Sequence, residues 1–167
     1  MTTKEIQAAI CKAELLKGND VCENLNSCFR GECDVLIVNK SRYFHEYEVK
    51  ISRSDFLADR KKGKWKNMMG SDYLIGLTPN YFSYVCVEGL IKESDLWDSR
   101  FGLYWMVDGK IICVKKAKFL HKVKLDYEKI ILKMLRTVSF SKYFGCQLLT
   151  LKNRETEERH NNLMELE

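Results

Sequence analysis

The sequence has little proline and no long apolar run. Pro79 is its only proline, and nowhere do about 18 apolar residues follow one another, as a transmembrane helix requires. The first residues lack the charged, apolar and small-residue succession of a secretory signal. We find no internal repeat, low-complexity tract or interdomain linker. These absences predict a cytoplasmic protein that does not interact with a membrane.

Histidine is also scarce, and the cysteines form no regular framework. The three histidines are scattered, which argues against a zinc site. The seven cysteines are odd in number and contain no C-x-x-C pair, a pattern typical of reduced thiols. Cys22, Cys28 and Cys33 are close enough to raise the question of a metal cluster. The favoured alternative is that Cys33 faces inward from a strand as a small hydrophobe.

The composition is that of an ordinary globular domain with a basic surface. The chain has 167 residues, 46% of them hydrophobic, which is enough to bury one core. We predict a single domain over residues 1–150 and a polar tail over 151–167. The net charge is +5, and residues 109–125 contain six lysines and no acid. Clustered basic residues are typical of phosphate-backbone binding, although a solvated face is the alternative.

The most informative stretch is a predicted β-hairpin. An apolar run from Asp34 to Val38 is followed by the polar residues 39–42 and then by strict alternation over 43–50. Period-two alternation predicts strands, and a short polar turn between two strands predicts a hairpin. Antiparallel pairing brings Asp34, at the start of one strand, close to Glu48 and Lys50 at the end of the next.

These three residue types suit a Mg²⁺ site. A hard divalent cation takes oxygen ligands, usually one or two carboxylates, and keeps positions for water and phosphate oxygens. A lysine two residues beyond Glu48 lies on the same strand face, where it can orient water or stabilise negative charge. To act as a base, Lys50 needs a pKa lowered by burial or by the metal. The alternative is a solvated edge strand whose charges form cross-strand ion pairs.

The segment EVKISRSDFLADRKK extends this pattern into a following helix. Together with Asp34, it resembles the PD-(D/E)xK nuclease superfamily, and more specifically the MmcB-like DNA-repair branch and its phage relatives. The resemblance covers roughly residues 20–125. Cys33 stands where the superfamily has its name-giving proline. Glu32, two residues before Asp34 on the same strand face, is either an extra ligand or a passive neighbour.

The resemblance implies a Mg²⁺- or Mn²⁺-dependent nuclease that cuts DNA in a bacterial or phage-infected cell. Asp34, Glu48 and the Val49 carbonyl would bind metal, and Lys50 would position water and stabilise charge. An alternative is a weakly active or inactive DNA-binding or interaction module with the same fold. RNA is an alternative substrate, and a homodimer is an alternative to a monomer.

Further residues are secondary candidates. Glu14 is either a metal ligand from the first helix or a surface carboxylate, and its position favours the surface carboxylate. Arg60 would lie near the active-site end of its helix. The full secondary set is Glu46, Glu14, Ser52 and Arg60. The predicted nucleic-acid contacts are Arg53, Lys61, Lys62, Lys64, Lys66, Lys115, Lys116 and Lys118.

The remaining pattern predicts an α/β fold with a restriction-endonuclease-like core, in which helices flank a central mixed β-sheet. Helices are expected over 4–16, with Thr3 as N-cap, from Ser52 or Ser54 to about Lys62, and over 124–138. The Asp108-Gly109 pair predicts a second hairpin, formed by residues 103–107 and 111–116. Residues 73–77 are predicted to form the strand after the crossover helix, and residues 81–86 remain unclassified.

Overall fold

The protein is built on a six-stranded mixed sheet whose strands follow one another in chain order. The structure, a computed structural model, describes residues 1–26, 29, 31–61 and 78–137. Its strands are β1 Asp20–Asn26, β2 Glu32–Val38, β3 Phe44–Lys50, β4 Tyr81–Val87, β5 Gly102–Val107 and β6 Lys110–Lys115.

The strand directions follow from the lengths of the connections. Strands β1, β2 and β3 pair antiparallel through short turns, and β5 and β6 form a second antiparallel pair. Strand β4 is parallel to both β3 and β5. A parallel pair needs a long crossover, and the β3–β4 connection contains helix α2, Arg53–Asp59. The predicted α/β class and mixed sheet are therefore confirmed.

Helix α1, Thr3–Leu16, begins one residue earlier than the sequence predicts. Its N-cap is Thr2, not Thr3, because Thr2 and Glu5 form a reciprocal capping box: the Thr2 N–H donates to the Glu5 carboxylate at 2.6 Å, and the Glu5 N–H donates to Thr2 Oγ1 at 3.3 Å. Gly18 follows the helix with φ of +75°, a conformation that glycine adopts without strain.

Both predicted hairpins are confirmed. Asp108 and Gly109 have φ of +46° and +77°, as a tight turn of this kind requires. The unclassified stretch at 81–86 forms β4, in the middle of the sheet. Helix α2 is capped by Ser52 and ends at Asp59, earlier than predicted. Residues 127–137 are helical and are called α3. The predicted strand at 73–77 and the predicted tail lie outside the described residues.

The two faces of the sheet carry different residues because strand side chains alternate. One face packs against α1 through an apolar cluster that includes Ile6, Ile10, Val35 and Ile37. The opposite face of β3 presents Phe44, Glu46, Glu48 and Lys50. Phe44 packs with Ile130 and Met134 of α3 in one cluster, and Phe56 of α2 packs with Phe82, Tyr84 and Cys86 of β4 in another. None of the helices in the described ranges is long and apolar enough to cross a membrane.

We predict that Gly102→Ala destabilises the fold by about 1–3 kcal/mol, the usual cost of overpacking. A Cβ at Gly102 would lie 2.2 Å from Ser83 Oγ and 2.9 Å from the Ala117 backbone nitrogen. Urea denaturation of Gly102→Ala, Ser83→Ala and the double variant measures the effect. Removing Ser83 Oγ should relieve part of the clash, so the double variant should lose less stability than the two single losses combined. A Gly102→Ala protein as stable as the parent would contradict the packing described here.

Candidate active site

The β2–β3 hairpin brings Asp34 and Glu48 to the same end of the sheet. Val35 pairs with Tyr47, and continuing this register by one residue places Asp34 opposite Glu48. The Val49 N–H donates to Asp34 Oδ2 at 2.7 Å, so the β3 backbone holds the aspartate in place. Asp34 is half-buried, and Glu48 is 8% exposed. The predicted convergence of these two carboxylates is present in the structure.

Lys50 is a buried cation surrounded by carboxylates. It is only 2% exposed. Its Nζ lies 3.0 Å from Glu48 Oε1, 3.0 Å from Asp59 Oδ1 and 3.4 Å from Asp55 Oδ2. A buried charge requires such partners, because removal from water is otherwise very costly. Lys50 therefore joins β3 to α2 through ion pairs.

The surroundings of Lys50 favour its charged form. Burial lowers the pKa of Lys50, but the charges and hydrogen bonds of Glu48 and Asp59 outweigh burial and raise the pKa above its ordinary value. This arrangement suits a lysine that donates hydrogen bonds and carries positive charge. It does not supply the lowered pKa that a basic role for Lys50 would need.

Asp59 and Tyr84 belong to the same cluster, although the sequence pattern identifies neither of them as a site residue. Asp59 is completely buried, accepts from Lys50 Nζ through Oδ1, and accepts from the Tyr84 hydroxyl through Oδ2 at 3.2 Å. An aspartate on a short helix is ordinarily a surface charge, but Asp59, the last residue of α2, is buried. The available signal was the spacing, because Asp59 lies three residues after the buried Phe56 and so shares its helix face.

Glu46 adds another buried carboxylate to this face of β3. It is 0% exposed and lies two residues before Glu48. Burial, followed by the negative charges of Asp59, Glu48 and Glu46, raises the pKa of the Tyr84 hydroxyl. The Tyr84 hydroxyl thus stays a hydrogen-bond donor at neutral pH. Among the described residues, carboxylates outnumber ammonium groups in this cluster, so these charges favour an added cation.

The donor set is compatible with a small hard cation. The described residues contain no group of three or more His, Cys, Asp or Glu side chains gathered as metal ligands. Mg²⁺, however, is usually held by only one or two carboxylates, with water and phosphate oxygens completing its coordination. Asp34 and Glu48, side by side at the end of the hairpin, provide that number of carboxylates. The negative balance around Lys50 supports the same fit.

The remaining predicted residues near this end have structural contacts. Glu32 is exposed at the start of β2, and Ser52 caps α2 by accepting from the Asp55 N–H at 3.2 Å. Arg53 forms an ion pair with Asp95, its Nη2 lying 2.6 Å from Oδ1. Arg60 donates to the Asp95 carbonyl at 3.1 Å and lies over the Trp97 ring. Both arginines therefore attach α2 to the 3₁₀ turn Glu93–Asp95 and the residues after it.

The Asp95 carboxylate is held in its charged form by this attachment. Its hydrogen bond from Arg53, with a second from the Lys92 backbone, lowers the pKa of Asp95 to about 2. Arg53 also donates to the Leu90 carbonyl at 3.2 Å. The segment after β4 is in this way fixed against the helix that supplies Asp59.

Glu14 lies on the other side of the sheet. It is buried, which corrects the expectation of a surface carboxylate. Its carboxylate accepts from Lys17 at 2.7 Å, from Asn19 at 2.7 Å and from the Tyr47 hydroxyl at 3.2 Å. Because Tyr47 and Glu48 are adjacent on a strand, they point to opposite faces. The structure therefore does not bring Glu14 to Asp34 and Glu48.

The predicted nucleic-acid contacts are divided among several places. Lys61 is exposed just after α2, Lys115 lies 3.6 Å from Glu93, and Lys116 and Lys118 are exposed after β6. Lys62, Lys64 and Lys66 lie outside the described residues. Of the three cysteines considered for a cluster, Cys22 and Cys33 are buried in an apolar cluster, and Cys28 lies outside the described residues.

Comparison with known proteins supports the fold without assigning an activity. No family model matches the chain, and no curated protein matches it. It is similar to the solved structure of the SPO1766 protein from Silicibacter pomeroyi, with a TM-score of 0.60 and 17% sequence identity. The similarity covers 93% of this chain and 94% of that protein, which is itself described as being of unknown function. At this identity, the likeness shows a shared fold alone.

We predict that Asp59→Asn lowers the free energy of unfolding by about 3 kcal/mol, because it leaves the buried Lys50 with one fewer charged partner. Asp55→Asn is the matched control. Asp55 also contacts Lys50, but its side chain is 47% exposed, and such a pair contributes at most about 1 kcal/mol. Urea denaturation of both variants at neutral pH measures the difference. Equal losses in the two variants would contradict the importance assigned to Asp59.

Proposed function

We propose that this protein is a Mg²⁺- or Mn²⁺-dependent nuclease that hydrolyses phosphodiester bonds in DNA, with a PD-(D/E)xK-type core. The observation that carries the proposal is the meeting of Asp34, Glu48 and Lys50 at one end of the β2–β3 hairpin. An MmcB-like role in DNA repair or in phage DNA processing belongs to the same proposal. It rests on the resemblance of the segment at residues 48–62.

The residues divide the work of such a reaction. Asp34, Glu48 and the Val49 carbonyl would hold the metal, which, when bound, lowers the pKa of coordinated water and neutralises charge on the phosphate. The Lys50 ammonium donates hydrogen bonds and positive charge toward the phosphate oxygens as their negative charge develops. Asp59 keeps Lys50 in position, and Tyr84 in turn holds Asp59. Glu46 increases the negative potential that favours a cation.

DNA is the proposed substrate because the chain combines this acidic site with a basic surface. The net charge of +5 and the exposed lysines at 61 and 118 favour contact with a phosphate backbone. RNA has the same phosphodiester chemistry and is the first alternative substrate to test.

The second candidate function is a binding module with little or no activity. The observation that favours it is the ion pairing of Lys50 with Glu48 and Asp59, because a lysine fully engaged in ion pairs can serve stability alone. In that case the basic surface would bind DNA without cleavage. Its affinity would fall steeply with salt as counterions are released.

We expect metal-dependent cleavage of labelled DNA that Asp34→Asn, Glu48→Gln and Lys50→Met each reduce by at least about 100-fold, a loss typical of removing one essential catalytic group. A panel of single-stranded, double-stranded and branched DNA, with matching RNA, would be incubated with Mg²⁺, Mn²⁺ or EDTA. Glu88→Gln is the matched control, since Glu88 is an exposed carboxylate just after β4 and touches none of these groups.

Circular dichroism and urea denaturation of each variant separate lost chemistry from lost folding. Cleavage that needs metal, survives Glu88→Gln and disappears in the folded site variants would establish the proposal. Cleavage that persists in all three site variants would refute the assignment of the site. Absence of cleavage together with salt-sensitive DNA binding would favour the binding module.

A further inference from the structure

A pocket lies on the α1 side of the sheet, away from Asp34 and Glu48. It has a volume of about 400 Å³, within the usual range of small-molecule sites. Helix α1 ends at Leu16, and the sheet continues beyond it. The uncovered part of the sheet forms the floor of the pocket, and Glu14, Lys17 and Asn19 form the wall at the end of the helix.

The floor is made of aromatic rings from three neighbouring strands. His45 and Tyr47 of β3 are stacked, with ring centroids 4.1 Å apart. Tyr104 of β5 meets Tyr47 edge-on at 5.3 Å, and Tyr81 of β4 lies 5.6 Å from His45. All four rings line the pocket. Tyr47 is buried, whereas His45, Tyr81 and Tyr104 are half-buried and offer ring surface to a planar ligand.

Hydrogen bonds hold the rings of the floor in place, and burial keeps these rings uncharged. The Tyr47 hydroxyl donates to Glu14 Oε1 at 3.2 Å, which holds this ring against the end of α1. Burial raises the pKa of Tyr47, and burial together with Cys113 raises the pKa of Tyr104 to about 12. Burial also lowers the pKa of His45 to about 3, and His45 Nε2 lies 2.8 Å from Ser83 Oγ. At neutral pH the floor therefore consists of neutral rings.

The rim supplies positive charge and amide groups. Lys17 neutralises Glu14 through their ion pair, and Lys116 adds a further positive charge on the side of the pocket formed after β6. Asn19 and Asn39 also line the pocket, and amide side chains can both donate and accept hydrogen bonds. A ligand that matches this arrangement has a planar ring with polar edges and a negatively charged group.

We propose that this pocket binds a nucleotide unit, with the base against the half-buried rings of His45, Tyr81 and Tyr104 and the phosphate near Lys116. The unit is either a free nucleoside monophosphate or the phosphorylated end of a nucleic-acid strand, because the two present the same chemistry. The pocket lies on the opposite face of the sheet from Asp34 and Glu48, and its residues need no metal.

The test is calorimetric titration of the full chain in EDTA with dAMP, deoxyadenosine, inorganic phosphate and benzoate. We expect dAMP to bind at least about tenfold more tightly than deoxyadenosine or phosphate, because each of these lacks one of the two recognised parts. A 5′-phosphorylated oligonucleotide and its unphosphorylated form then distinguish the two sources. Tighter binding of the phosphorylated strand than of dAMP indicates a strand end, and the reverse indicates a free nucleotide.

Lys116→Glu should weaken dAMP binding by about tenfold or more, since an attractive charge becomes repulsive. Lys110→Glu makes the same charge change at the other end of β6 and should leave the affinity unchanged. Both lysines are exposed, so both variants should fold. In the parent protein, saturation-transfer NMR should saturate the base protons of dAMP more strongly than the ribose protons.

Equal effects of the two charge reversals would overturn the proposal, as would binding of benzoate as tight as that of dAMP. Absence of dAMP binding would also overturn it. Because the titration is done without metal and on residues apart from Asp34, Glu48 and Lys50, its failure would leave the nuclease proposal untouched. Failure of DNA cleavage would likewise leave the pocket's result standing.

Discussion

The ion pairs of the buried Lys50 are the interaction on which the rest of this end of the structure depends. Lys50 is 2% exposed, and a buried ammonium group is tolerated only with charged partners, which come here from its own strand and from α2. Asp59, the partner on α2, is fixed in turn by the Tyr84 hydroxyl from β4. Two strands and the crossover helix are thus joined at one charged point. Lys50 lies beside the Asp34 and Glu48 carboxylates. The charged groups that stabilise this end of the sheet are therefore also the groups available for catalysis.

Apolar packing surrounds this charged cluster and strengthens the interactions within it. The same sheet face is covered by two apolar clusters, one built around Phe44 with α3 and one around Phe56 with β4. The charged side chains of β3 are buried between these clusters. Burial strengthens the electrostatic attraction between opposite charges and raises the cost of leaving any one of them unpaired. Arg53 supports this arrangement from outside by pairing with Asp95, which holds the start of α2 against the segment after β4.

The sequence predicts what depends on local periodicity and misses what depends on tertiary contacts. Alternation over 43–50 was sufficient to predict β3, and antiparallel geometry was sufficient to bring Asp34 to Glu48. The sequence does not predict strand β4, because a short aromatic run is compatible with several structures until its neighbours are known. Asp59 was missed for a related reason: an aspartate on a short helix is usually solvated, and only the position of Lys50 and Tyr84 shows that it is buried. Glu14 could not be assigned to a face until the direction of α1 across the sheet was known.

The register of the β2–β3 hairpin decides both proposed sites at once. Glu48 and Lys50 point to one face of β3, and His45 and Tyr47 point to the other, so a slip of one residue would exchange the two sets. The turn restrains that slip. Asn39 Oδ1 accepts from the Ser41 and Tyr43 N–H groups, both at 3.0 Å, and Arg42 adopts a positive φ of 58° within the turn. The buried Asn80 then fixes the start of β3 by accepting from the Phe44 N–H at 3.0 Å, while its amide nitrogen donates to the Val123 carbonyl at 2.9 Å. A polar turn and one buried asparagine therefore determine which side chains of a single strand face the acidic cluster and which face the aromatic pocket.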